Sequence, residues 1–138
     1  MDFTKESGNI CVTPLQKTLA IVEAALDKKA YDLVVLQAEH LNSIADYFVI
    51  ATGRSDVQVQ SISRGVEERM EQEGKRPLSI EGFNHGYWVV LDYNDVVVHI
   101  FYEPIRDLYR LETNWTDAQK VPLPEPISSR ARDLSLSA

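Results

Sequence analysis

Residues Gly86 to Pro104, GYWVVLDYNDVVVHIFYEP, hold two apolar strands joined by Asn94-Asp95, and this pattern constrains the fold more than any other part of the chain. Type I′ turns need positive φ at both central residues, which Asn and Asp tolerate better than most residues other than glycine. A two-residue loop at Asn94-Asp95 sets Tyr93 opposite Val96. Counting outward pairs Asp92 with Val97, Leu91 with Val98, Val90 with His99, Val89 with Ile100, Trp88 with Phe101 and Tyr87 with Tyr102. Strand side chains alternate, so Tyr87, Val89, Leu91, Tyr93, Val96, Val98, Ile100 and Tyr102 share one face, apolar enough to lie under a helix. The other face carries Trp88, Val90, Asp92, Val97, His99 and Phe101. Large aromatics beside an acid and a histidine suit either a partly covered core face or a surface that another protein covers.

At 138 residues the chain is long enough for one domain with its own core. Its 21 acidic against 14 basic residues give a net charge of -7, and no block of Lys or Arg is long enough to follow a phosphate backbone. Direct nucleic-acid binding is disfavoured, and a basic protein partner fits the sign of the charge. One cysteine, Cys11, excludes an internal disulfide and a cysteine metal cluster. No apolar run reaches the length of a membrane span. The N-terminal MDFTKESGNICVTP has neither a signal peptide's apolar core nor a transit peptide's Arg-rich character, so a cytoplasmic location is expected.

Thr13-Pro14-Leu15-Gln16 places a capping Thr, a Pro at the first helical position and a Gln at the third, which predicts a helix from about Pro14 to Lys29. Tyr31 to Gln37 and Asp46 to Thr52 read as strands, both nearly continuous apolar runs of the kind buried on two sides, with a polar loop over Ala38 to Ala45. Ser55 caps a second helix in which Val59, Ile62, Val66 and Met70 recur at helical spacing until Gly74. A short strand at Leu78 to Ile80 and a glycine-flanked loop over Glu81 to Gly86 precede the hairpin. Pro104 then starts a last helix, with Ile105, Leu108, Tyr109 and Leu111 on its apolar stripe, ending near Trp115. This order indicates an α/β domain with a mixed sheet covered by helices. Residues 1–12 read as an extension, and the Pro- and Ser-rich 119–138 as a mobile tail.

Candidate chemistry is sparse. Thr52-Gly53-Arg54-Ser55-Asp56 sits at a strand-to-helix junction whose N-H groups could cradle an anion, but it lacks the glycine spacing of a phosphate-binding loop, and a turn plus N-cap accounts for it. Asp92, Asp95 and His99 do not converge as metal ligands, because Asp95 falls in the turn and the other two are offset by one pair. His40, His85 and His99 have no nucleophile beside them, and His40 and His85 read as solvated loop residues. Asp46 and Asp56 take structural roles, Asp56 suiting the dipole at a helix start. Trp88, beside Phe101 on the mixed face, is as well suited to an interface as to a core.

DYFVIATGRSDVQVQSI, EGFNHGYWVVLDYNDVVVHIFYEPIRDLYRLETNW and Thr116-Asp117-Ala118 resemble, in order and spacing, the bacterial ribosomal silencing factor or Iojap family, from about Thr13 to Ala118. The resemblance implies a small nucleotidyltransferase-like α/β fold without catalysis, metal or cofactor. It implies binding to the large ribosomal subunit through ribosomal protein L-fourteen, a steric block to joining of the small subunit, lowered translation when nutrients are short, and a homodimer when free. By position in the motif it makes Trp88 the partner-facing tryptophan, with Asp92, His99, Phe101, Tyr109 and Leu111 as companions. Asn94 stands where the family commonly has Gly, and the tail beyond Val121 lies outside the resemblance. The rival readings are a nucleotidyl-transferring enzyme and an inactive adaptor for another basic assembly or for ribosome biogenesis. Against the enzyme, Gly53 is followed by Arg54, and no Asp-x-Asp or Asp-x-Glu pair occurs on a strand.

Overall fold

A computed structural model describes residues 13–38, 45–109 and 119–137. The expectations for Cys11, His40, Leu111, Trp115 and residues 1–12 lie outside the described residues. The elements run α1 (Pro14–Asp27), β1 (Tyr31–Gln37), β2 (Tyr47–Gly53), α2 (Asp56–Gln72), β3 (Ser79–Glu81), β4 (Trp88–Asp92), β5 (Val96–Tyr102), α3 (Glu103–Tyr109) and α4 (Ile127–Ser137).

Both long helices start at the caps that the sequence places there. Thr13 Oγ1 accepts from the Gln16 N-H at 3.1 Å while Gln16 Oε1 accepts from the Thr13 N-H at 3.1 Å, a reciprocal capping box. Ser55 Oγ accepts from the Gln58 N-H at 3.1 Å. Each satisfies a donor that has no partner inside its helix.

The five strands form one mixed sheet in the order β1-β2-β5-β4-β3. Only β2 and β5 are parallel; the other neighbours are antiparallel. The hairpin register is the one the alternation predicts, from Asp92 opposite Val97 to Trp88 opposite Phe101. The turn differs from the expectation. Asn94 has φ +73°, while Asp95 is not in the positive-φ region. The Asp95 N-H donates to Tyr93 O at 3.0 Å, so the chain reverses through a γ-turn centred on Asn94 rather than a type I′ turn.

The first hairpin face is buried as expected from Val89 to Ile100, but at its far end Tyr87 is exposed and Tyr102 only partly buried. Val89, Leu91, Val96, Val98 and Ile100 are fully enclosed with Val59, Ile62, Val66 and Met70 of α2 and Ile21, Val22 and Ala25 of α1. Helix α1 is apolar around much of its circumference because the sheet, α2 and α4 all touch it. Burying a side chain such as Ile62 in this layer contributes about 2 kcal/mol. Strand β2 is buried on both sides, as its apolar run suggests. By contrast β1 lies outermost in the sheet, and its burial alternates irregularly around a bulge between Tyr31 and Val34.

Residues 119–137 correct the expectation of a mobile tail. Ile127, Ala131 and Leu134 recur at a spacing of four and three, a helical stripe that joins the main core beside α1 and β1. The density of Pro and Ser masks that short periodicity in the sequence. Among the described residues, no helix is long and apolar enough to cross a membrane.

Candidate partner-binding face

The opposite face of the sheet carries a second, smaller core. Leu36, Ala38, Ala45, Phe48, Ile50 and Phe101 are buried there, with Val34, Trp88, Val97 and Ile105 packed around them. Trp88 and Phe101 are directly opposed on β4 and β5, and their rings stack with centroids 5.0 Å apart. His99, one place along the same face, stacks on Phe101 at 6.3 Å and meets Phe48 at right angles at 5.7 Å. Trp88 Nε1 donates to His99 Nδ1 at 3.1 Å. This bond requires an unprotonated Nδ1, and burial pushes the His99 pKa down to about 4, which keeps the ring neutral.

The candidate residues therefore separate by what they can touch. Trp88 is half-buried, the one large aromatic of the cluster with substantial area at the rim. Phe101 is 0% exposed, which corrects its expected role: in this conformation it supports the Trp88 ring from below and is not a contact surface. His99 is 9% exposed and acts chiefly as the acceptor that orients Trp88. Asp92 Oδ1 accepts from the Asn94 N-H at 2.8 Å, which ties the acid to the turn. Tyr109 closes α3.

Phe48 and Ile105 complete the cluster, and sequence reasoning missed both. No local signal brings Phe48 to His99, since the parallel pairing of β2 with β5 joins strands far apart in the chain. Arg106 is a third addition. Its Nη1 donates to Thr52 Oγ1 at 2.5 Å and also to the carbonyl of Asp32, holding α3 against the ends of β1 and β2.

The other sequence candidates are dispersed. Asp95 pairs with Lys17 of α1 at 2.5 Å. At the strand-to-helix junction the Arg54, Val57 and Gln58 N-H donors are used internally. The Arg54 N-H reaches Gln58 Oε1 at 2.6 Å, Asp56 Oδ1 accepts from the Val57 N-H at 2.9 Å, and the Arg54 guanidinium lies 4.8 Å from the Tyr31 ring centroid. A turn plus N-cap describes it. His85 sits in its loop stacked on Tyr87 at 6.0 Å. Among the described residues, no group of three or more His, Cys, Asp or Glu side chains is placed to hold a metal ion.

A family model described as "Ribosomal silencing factor during starvation" matches residues 12–137. The chain belongs to the ribosomal silencing factor family. The match extends past the boundary the sequence motifs suggest and takes in α4. Ribosomal silencing factor RsfS of Bacillus subtilis is 41% identical over 105 residues, covering 75% of this chain and 89% of that protein. The Iojap-related mitochondrial protein of Arabidopsis thaliana is 36% identical over 119 residues, covering 83% of this chain and 64% of that protein. A crystal structure from Bacillus halodurans superposes with a TM-score of 0.71 at 34% identity, over 79% of this chain and 99% of that one. A crystal structure from Chromobacterium violaceum gives 0.74 at 28% identity, over 86% and 98%.

Proposed function

We propose that this protein represses translation by binding the large ribosomal subunit through its ribosomal protein L-fourteen, with the Trp88 face of the sheet as the docking surface. Family membership along residues 12–137 is the observation that carries this reading, and it supports a translational-repressor role in general. Three features of the chain support the finer statement. The net charge of -7 suits a basic ribosomal protein. Trp88 is half-buried on a stacked and hydrogen-bonded base, the arrangement of a preorganised interface anchor. No turnover is needed, since a protein seated on the intersubunit surface blocks the small subunit for as long as it stays bound.

Tyr109 and Leu111 belong to this proposal as companions of Trp88, as does a homodimer in the free protein. Kinship of the fold with nucleotidyltransferases is part of the same reading, with binding retained and the transfer chemistry absent.

Co-sedimentation with purified large and small subunits tests the proposal. Binding to the large subunit with loss of subunit joining is the expected result. Trp88→Ala lowers the affinity at least about tenfold with the circular dichroism unchanged. Wild-type affinity in a folded Trp88→Ala protein removes that residue from the interface. No binding by the wild-type protein at physiological salt overturns the ribosomal reading in favour of an adaptor for another basic assembly.

A further inference from the structure

The β1 side of the sheet does not end in a bare strand. The Gln37 N-H donates to Gln119 O at 2.8 Å, the Val121 N-H donates to Val35 O at 2.8 Å, and Leu36 and Lys120 form an antiparallel bridge between them. Residues 119–121 thus lie on the sheet as a short further strand. Val121 and Leu123 then pack on the main core, and α4 follows with Ile127, Ala131 and Leu134 facing inward. Two polar links fasten the helix: Arg130 to Asp27 at 2.7 Å, and the Asp32 N-H to Ser135 Oγ at 3.0 Å.

Asp32 is an unusual anchor. It stands in the β1 bulge with φ +47°, which turns its N-H away from β2 and toward α4, while its carbonyl accepts from Arg106 of α3. The bulge thereby offers to α4 a backbone donor that a regular strand would have committed to its neighbour.

We infer that residues 119–137 are a self-docked cover that closes a strand-accepting edge on β1 and opens as a unit while the rest of the sheet stays folded. The attachment is thin beside what it protects. Among the described residues it includes two backbone hydrogen bonds, the Asp32–Ser135 bond, an exposed ion pair of the kind that adds little, the partly buried Val121, Leu123 and Leu134, and the buried Ile127 and Ala131. Strands β2 and β5 are instead paired on both sides and enclosed by α1 and α2. Beneath the cover lie the outward-facing backbone groups of Val35 and Gln37, flanked by Val34 and Leu36, an uncharged extended run of the kind that pairs with another strand. The occupant such an edge accepts is an extended segment with the alternation of residues 119–123, and the chain supplies it in cis. This inference does not use the ribosomal reading, because it rests on the pairing of the β1 edge, which β2 and β5 separate from β4.

Native-state hydrogen exchange of the full chain at low urea tests it. The Gln37 and Val121 amides are expected to exchange together, at least about tenfold faster than those of Val49 and Val98, through an opening that exposes little surface. In full-length Ala131→Asp the Gln37 amide loses further protection while Val49 and Val98 keep theirs. A synthetic peptide of residues 119–137 then binds this variant, restores Gln37 protection, and leaves the wild-type protein unbound. Should Ala131→Asp fail to fold, Val121→Pro removes the donor to Val35 without touching the helix, and must accelerate Gln37 by the same criterion. Exchange of Gln37 only with global unfolding overturns the inference. So does equal binding of the peptide to wild type and variant, or no binding to a folded variant.

Discussion

Trp88 and His99 are joined across the hairpin by a 3.1 Å bond in which the indole N-H donates and the imidazole Nδ1 accepts. The bond exists only while His99 is neutral, so the orientation of the candidate anchor is tied to the titration of a buried ring. In the unfolded chain His99 titrates near its ordinary 6.5, and in the fold burial holds it at about 4. Below 6.5 the unfolded state binds more protons than the folded one, so folding stability is lost as pH falls from about 6.5 to about 4 and is fully present above that window. The loss has an upper bound of about 3 kcal/mol. Urea unfolding of the wild type and His99→Gln at pH 7.5 and 4.5 checks it: the wild type should lose more stability than the variant between the two values, and parallel losses would show that His99 is not the group responsible.

Phe101 is a separate case, because it is 0% exposed and stacks directly on the Trp88 ring. Phe101→Ala should cost about 3–5 kcal/mol, the range for emptying a large aromatic site in a core. A charged replacement should prevent folding altogether. Ribosome binding by Phe101 variants is therefore interpretable only alongside a thermal melt; a Phe101→Ala melt within a degree or two of wild type would contradict the burial.

Asn94 sits at φ +73° in the hairpin turn, where a side chain costs backbone energy that glycine avoids. Asn94→Gly should raise stability by up to about 1 kcal/mol, since the bond from its N-H to Asp92 Oδ1 is made by the backbone and survives the change. A lower denaturation midpoint in the glycine variant would show that the Asn side chain contributes more than its conformational cost.

Gly82 should tolerate nothing larger. Its φ is +81°, and a Cβ there would stand 2.1 Å from the carbonyl oxygen of Trp88. Gly82→Ala should cost more than about 2 kcal/mol and displace the loop from β4. Chemical-shift changes centred on Trp88 and Val89, with α1 unaffected, are the expected signature.

Much of this fold is legible in local pattern. The capping box at Thr13, the Ser55 cap and the two-residue periodicity of the hairpin each specify structure within a few residues, and each appears where the pattern places it. The strand order is not local. Nothing near Phe48 states that it will meet His99, and nothing near Asp32 states that its N-H will turn to Ser135, because those contacts depend on parallel pairing and on a bulge. The site is legible to the same degree: alternation puts Trp88, His99 and Phe101 on one face, but only depth separates the half-buried ring from the two beneath it. The helix over Ile127–Ser137 was hidden for a third reason, a composition that argues for disorder over a stripe of just three apolar residues.

The pairing of β2 with β5 also has a consequence for synthesis. Strand β2 is complete at Gly53, yet its second neighbour begins only at Val96. Between those points the growing chain carries a β1-β2 ribbon whose β2 margin is open, as is the β1 margin that residues 119–121 later pair, and α2 has no hairpin to rest on. A polypeptide released before Val96 would keep that margin permanently, which makes truncated products of this gene candidates for aggregation even where the finished protein is well behaved.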